Sequence, residues 1–300
     1  SHLHDDKIKF LEEKANTIRQ SLIEELVEAG SGHTAGPLGM ADVFTAMYFH
    51  ILKHDPKNPD WPERDRLVLS NGHICPIQYA TMAHAGYFPI EELKTLRKFC
   101  TRLQGHPHRG SLPGIETTSG PLGSGLSQAV GMAIGLKMDS SARLTTSGST
   151  SSPQVKSRQV FCLMSDAEQQ CGQTWEAAML AGKLKLDNLT GLVDRNNIQI
   201  DGMTEQIMPL EPLRAKYEAF NWHVLEIDGH NFEEIANAFD EAKAIYEKPV
   251  LIIAHTIPGK GLPEIEFDYK WHGIPPKKDE AEKFLNELRT LGGKIKSEHQ

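Results

Sequence analysis

Four short strand-like stretches, at 160–164, 189–193, 223–227 and 250–254, alternate with longer stretches of helical spacing, 175–184 and 232–246 among them. The alternation therefore predicts an α/β fold with a mainly parallel central sheet and helices on both faces. Residues 66–70 read as one more strand, ending at Asn71-Gly72-His73. Ile8, Leu11, Ala15, Ile18, Leu22, Ile23, Leu26 and Val27 mark one face of a long opening helix over 6–29. Helical patterns also cover 38–52, 74–84, 90–99, 126–138 and 279–291. Residues 140–157, rich in Ser and Thr without apolar periodicity, predict a mobile surface loop. With no fixed-period repeat and no internal linker, a single domain over 1–300 is expected.

The run at 160–164 leads into Ser165-Asp166-Ala167-Glu168, and the run at 189–193 leads into Asp194-Arg195-Asn196-Asn197. One βαβ unit thus brings Asp166 and Asn196 to the carboxyl ends of neighbouring parallel strands, where open α/β sheets hold their ligands. A carboxylate, an amide and a nearby backbone carbonyl would suit magnesium on a pyrophosphate. Asp166 taken without Asn196 could equally be the cap of the following helix.

Composition limits the partners. A net charge of −8 without a Lys/Arg run excludes the usual basic nucleic-acid surface. Cys75, Cys100, Cys162 and Cys171 form no C-x-x-C pair and no dense framework, which predicts free thiols and a cytoplasmic protein. No apolar run is long enough to predict a membrane span.

Four histidines sit in glycine-flanked turns: Gly32-His33, Gly72-His73, Gly105-His106 and His272-Gly273. One such residue is commonly an ordinary loop histidine, but four suggest imidazoles gathered for proton work near neutral pH. A zinc site competes, yet only His106-x-His108 approaches ligand spacing, and it has no cysteine nearby. Gly120-Pro121-Leu122-Gly123-Ser124-Gly125 is a glycine-rich turn entering a helix and fits neither the dinucleotide nor the P-loop template.

Together these motifs resemble the transketolases. Ser31-Gly32-His33 with Gly36-Pro37-Leu38-Gly39, Leu69 to His73, Leu103 to Pro107, Thr118 to Gly123, Trp175-Glu176-Ala177, Asn196 and Trp271-His272-Gly273 occur in the order and approximate spacing of that family's amino-terminal, pyrophosphate-binding domain. The resemblance implies a thiamine-diphosphate-binding fold and a ketol transferase of carbohydrate metabolism. Such an enzyme moves a two-carbon unit from a ketose phosphate to an aldose phosphate. It implies that His33, His73, His106 and His272 line the substrate channel. The cofactor would be held by His73, Gly120, Pro121, Leu122, Ser165, Asp166, Ala167, Glu168 and Asn196. Magnesium, or calcium or manganese, would be bound by Asp166, Asn196 and the carbonyl of Ile198.

The sequence departs from the family around Asp166. Ser165-Asp166-Ala167 replaces Gly-Asp-Gly, and Cys171 stands where a glutamate helps couple the two cofactor sites, whereas Glu176 is retained. A Cβ at Ala167 would crowd the diphosphate if the backbone there approaches it closely or requires positive φ, so weaker cofactor binding is expected. The family's pyrimidine-binding and C-terminal domains do not occur in this sequence, so either a second subunit supplies them, as in split transketolases, or the chain is a fragment of a longer one; a split enzyme in an α2β2 assembly is the expectation. Two alternatives stay open: another thiamine-diphosphate enzyme such as a deoxyxylulose-phosphate synthase, and a non-catalytic partner subunit.

Overall fold

The central sheet consists of five parallel strands in the order β1-β2-β3-β7-β6: β1 (Arg66–Leu69), β2 (Val160–Ser165), β3 (Leu189–Arg195), β6 (His223–Asp228) and β7 (Val250–His255). A two-stranded antiparallel hairpin, β4 (Ile198–Gln199) and β5 (Gly202–Met203), follows β3 directly. The helices are α1 (Asp5–Ala29), α2 (Ala35–Ala46), α3 (Cys75–Ala85), α4 (Ser124–Ser147), α5 (Gly172–Lys183), α6 (Thr204–Ile207), α7 (Leu213–Ala219), α8 (Phe232–Ala244) and α9 (Lys278–Thr290). This computed structural model describes residues 3–147 and 158–290, by backbone alone over 140–147.

Side-chain alternation along β2 explains why the strand is apolar throughout. Phe161 and Leu163 face a core shared with α1, α2, α3 and α8, whereas Val160, Cys162 and Met164 face a second core shared with α4, α5 and α7. Both faces are covered, as a parallel sheet requires. On the first face Phe161 meets Phe239 of α8 edge to face at 5.4 Å, a pairing worth about 0.5–1.5 kcal/mol beyond simple burial. The stripe Phe232, Ile235, Ala236, Phe239 and Ala242 aims α8 at the sheet, and Asn231 caps the helix by accepting from the amides of Glu233 and Glu234. Behind this layer α9 packs Ala281, Phe284 and Leu288 inward, and the Asn16 amide of α1 donates to the Leu288 carbonyl at 3.0 Å.

Three expectations need correction. Residues 140–147, expected to open a mobile loop, continue α4, because extending an existing helix needs no new nucleus and Ala142, Arg143 and Leu144 are good helix formers. The remainder of that stretch, 148–157, lies outside the described residues. The helix expected over 90–99 is a short 3-10 turn, Ile90–Thr95, followed by Arg97 and Cys100 with φ of 59° and 61°, which no continuing helix accommodates. Helix α2 begins at Ala35 rather than 38, with Pro37 in its first turn, and ends in a π-helical turn, Met47–Ile51. Helices α6 and α7 and the β4–β5 hairpin are additions that no periodicity announced. The four cysteines are free thiols. Among the described residues no helix is long and apolar enough to cross a membrane.

Candidate active site

All parallel strands deliver their carboxyl ends to one edge of the sheet. β1 ends in Ser70, Asn71 and the 3-10 turn Gly72–Ile74 that carries His73; β2 ends at Asp166; β3 ends at Asn196. Register pairs Ser165 with Asp194, so the β2 and β3 termini are neighbours.

The loops bring the histidines together. His33 lies between the left-handed Gly30 and α2, and its ring stands 4.8 Å from His73 and 5.3 Å from His272. His73 and His272 are 5.3 Å apart, which closes the triangle. A Cβ on Gly120 would stand 3.8 Å from the His106 ring, so His106 and the glycine-rich turn face each other. Gly72 is required for a related reason: a Cβ there would come within 2.5 Å of Ser119 Oγ, and the two turns could not meet. Arg97 ties two of the histidine turns, donating to the Gly105 carbonyl at 3.2 Å and to Ser31 Oγ at 3.4 Å.

The segment bearing His272 is pinned independently. Ile257 N–H donates to His230 Nε2 at 2.8 Å, His230 Nδ1 donates to Asp42 at 2.7 Å, and Arg19 grips Asp42 with both nitrogens at 2.9 and 2.7 Å. Burial alone would raise the Asp42 carboxyl, but Arg19 and His230 outweigh it and hold the group well below the usual carboxylate range. Thr34 Oγ1 also donates to the Ile274 carbonyl at 2.6 Å, which fastens the His272 turn beside His33.

This cluster is poor in internal partners. His33 Nδ1, His272 Nδ1, Ser119 Oγ and both amide atoms of Asn71 are buried without a hydrogen bond. Unpaired buried polar atoms cost free energy unless a ligand meets them. Desolvation lowers His33 to about 3, aided by His272, Arg97 and His106. Burial likewise pushes His73 well below the ordinary value, and His106 and His272 are lowered for the same leading reason. The imidazoles are thus held neutral, able to accept a proton or a hydroxyl hydrogen bond. Among the described residues no three His, Cys or carboxylate side chains converge as a metal site.

Asp166 is wholly buried. Its Oδ1 accepts from Ala167 N at 2.6 Å, and its Oδ2 accepts from Asn197 N at 2.8 Å, Arg195 Nη1 at 3.0 Å and Thr204 Oγ1 at 3.4 Å. Asn196 Oδ1 accepts from Ile198 N at 3.0 Å, while its Nδ2 donates to Asp194 Oδ2 at 2.9 Å. Asp194, buried and also bonded by Thr256, is pushed up to about 7 by desolvation. The Asn197 bond brings the 196–198 turn against Asp166, so a carboxylate adjoins the turn that carries an amide oxygen and the Ile198 backbone carbonyl. That donor chemistry fits a hard divalent cation, and the Arg195 guanidinium on Asp166 shows that the pocket accepts positive charge.

Glu168 acts differently from its neighbours. Its carboxylate accepts from Ser70 Oγ, from Gly123 N at 2.6 Å and from Ser165 N at 3.1 Å, and Ser70 Oγ in turn accepts from Gly125 N at 3.0 Å. It clasps the glycine-rich turn to the ends of β1 and β2. Gly123, at φ 85°, takes a conformation suited to glycine, and Leu122 presents its carbonyl to Gln173 Nε2 at 2.7 Å while Pro121 is exposed. Ala167 is not among the positive-φ residues, so this backbone carries a Cβ without strain and the expected crowding from φ does not arise. Arg97, Arg195, Asn71 and Ser119 belong to the site and were missed from the sequence. Asn71 and Ser119 lie within motifs already noted, whereas nothing local marks either arginine.

Comparison with known proteins agrees with this arrangement. Residues 11–292 match the family model described as transketolase, thiamine diphosphate binding domain. The 6-deoxy-6-sulfo-D-fructose transketolase subunit of Clostridium sp. (strain MSTE9) is 46% identical over 84% of this chain and 86% of its own. An apulose-4-phosphate transketolase subunit of Phocaeicola vulgatus is 37% identical over 98% of this chain and 99% of its own. The crystal structure of transketolase from Campylobacter jejuni superposes with a TM-score of 0.82 at 38% identity, over 94% of this chain. The chain spans only 42% of that longer protein. The protein described here belongs to the transketolase family of transferases, as its amino-terminal, thiamine-diphosphate-binding part.

Proposed function

We propose that this chain is the cofactor-binding subunit of a split transketolase, which moves a two-carbon ketol unit from a ketose phosphate to an aldose phosphate. The observation that carries the reading is the triangle of His33, His73 and His272, with a buried Nδ1 left unpaired on His33 and on His272 and His106 facing Gly120, at the sheet edge that also carries Asp166 and Asn196. Bound thiamine diphosphate would supply the carbanion chemistry, leaving orientation and electrostatics to the protein.

The residues divide that work. His33, His73, His106 and His272, held neutral by burial, bond the sugar hydroxyls and pass protons at their ring nitrogens. Backbone at Gly120, Pro121 and Leu122 lies against the cofactor, and Glu168 keeps that turn in place. Ser165 and Ala167 flank the diphosphate. Magnesium, or calcium or manganese, is held by Asp166, Asn196 and the carbonyl of Ile198. A partner chain supplies the pyrimidine-binding and C-terminal domains in an α2β2 assembly. The naming of two relatives as subunits supports this, as do the exposed apolar side chains Met179, Ile200 and Met208. Free thiols at all four cysteines suit the cytoplasm.

The test is ketol transfer by the chain reconstituted with its partner, using a ketose phosphate and, given the relative named for a sulfonated sugar, 6-deoxy-6-sulfo-D-fructose as donors. Transfer should require both thiamine diphosphate and a divalent cation, and Asp166→Ala should abolish cation-dependent cofactor binding while the chain stays folded. Turnover of pyruvate instead would assign the chain to a deoxyxylulose-phosphate synthase. Absence of cofactor binding to the assembled wild-type complex would overturn the proposal and establish a non-catalytic role.

A further inference from the structure

Arg195 closes β3 between Asp194 and Asn196, and its guanidinium makes three ion pairs at once. Nη1 lies 3.0 Å from Asp166 Oδ2, while Nη2 lies 2.6 Å from Glu205 Oε1 and 3.0 Å from Glu211 Oε1. The arginine side chain is 5% exposed and that of Asp166 0%, whereas those of Glu205 and Glu211 are 37% and 59% exposed. One end of the guanidinium therefore reaches a buried carboxylate and the other a surface pair.

We propose that Arg195 is a resident counter-ion for Asp166, which holds that carboxylate in the cofactor-free chain and gives it up to the divalent cation. This rests on the thiamine-diphosphate reading of the site. A buried carboxylate without a counter-charge is costly. The guanidinium supplies that charge at 3.0 Å. A doubly charged ion held by Asp166 would repel the guanidinium strongly in this buried site and drive it off. Its two other partners lower the cost of leaving: Nη2 is already paired, so the displaced arginine keeps Glu205 and Glu211 near the surface. The exchange is thus a short movement of one fork, and the site stays assembled in both states.

Two variants test this in opposite directions. In the chain assembled with its partner at saturating thiamine diphosphate, the Mg2+ concentration for half-maximal cofactor binding is measured by calorimetry. Arg195→Gln should lower that concentration about tenfold, since the competitor is gone. Glu205→Gln combined with Glu211→Gln should raise it, because the guanidinium then has only Asp166. Without cofactor or metal, Arg195→Gln should also melt below wild type, and Asp166→Asn added to it should restore part of the loss. A requirement for Mg2+ in Arg195→Gln equal to or above that of wild type overturns the counter-ion role and leaves the thiamine-diphosphate reading standing. Cofactor binding to none of these complexes overturns both.

Discussion

His33 and His272 meet edge to face with ring centroids 5.3 Å apart, and each keeps a buried Nδ1 that no protein group bonds. The two residues are far apart in the chain, and separate fastenings hold them: Gly30 and α2 on one side, the His230 and Thr34 hydrogen bonds on the other. Such a pair is neutral because charging either ring would bury a cation beside other basic groups.

The histidine cluster makes the fold acid-labile. His33 is lowered to about 3 and His84 to about 4, both chiefly by desolvation, and His73 is held well below the ordinary histidine value for the same reason. The unfolded chain therefore binds protons that the folded chain refuses. Stability is complete above the unfolded value and declines as pH falls below it, by somewhat under about 1.4 kcal/mol per pH unit for the partly enclosed His33. Urea midpoints measured from pH 7.5 to 4.5 should fall steadily, and His33→Asn should flatten the slope. An unchanged slope would mean that His33 charges as easily folded as unfolded.

Glu168→Gln should loosen the glycine-rich turn. The amide replaces one acceptor oxygen with a donor, which then faces either the Gly123 amide at Oε1 or the Ser165 amide at Oε2, each a donor itself. Loss of one charge-assisted bond, with a donor left unpaired, costs about 2 kcal/mol. Hydrogen exchange should accelerate at Gly123 and Gly125, and exchange as slow as in wild type would show that the turn holds without this carboxylate.

Glu25 of α1 is buried with both carboxylate oxygens unpaired, and burial raises its pKa well above 4.5. It stays protonated in the fold after the unfolded chain has ionised, so its contribution is lost as pH rises above the unfolded value. Glu25→Met should stabilise the protein at neutral pH by about 1–3 kcal/mol, with the advantage shrinking toward pH 4. Melting curves at both pH values decide this; a less stable variant at pH 7 would show that the carboxylate has a partner.

Ala167→Gly should leave thiamine diphosphate affinity unchanged or improved, because Ala167 has no positive φ for glycine to relieve and only its Cβ is removed. The fold should lose about 0.5–1 kcal/mol from added backbone freedom. Calorimetric affinity and melting temperature report the two effects separately, and a clear fall in affinity would mean that the site depends on the alanine methyl.

Much of this arrangement was legible in the sequence because its signals are local. Short strand-like runs and helical patterns placed β2, β3, β6, β7, α1 and α8 within a few residues, and glycine beside histidine marked each histidine turn of the site. Asp166 and Asn196 were readable from a strand ending in a polar group. What the sequence could not carry were relationships set by three-dimensional proximity. Arg195 looks like any polar residue after a strand until β2 and β3 align and bring Asp166 to its fork. Glu168 reads as a cofactor-binding candidate, and only the fold shows that Gly123, 45 residues earlier, turns its amide onto it. The propensities of the Ser/Thr stretch suggested a loop over 140–147, but a helix already under way extends more cheaply than it stops. Pattern and turn chemistry determined the sheet, its covering helices and the candidate ligands, since each depends on neighbours along the chain. Packing of distant segments determined which carboxylates are already occupied, which histidines meet and which nitrogens are left for a ligand, since burial and charge pairing depend on neighbours in space.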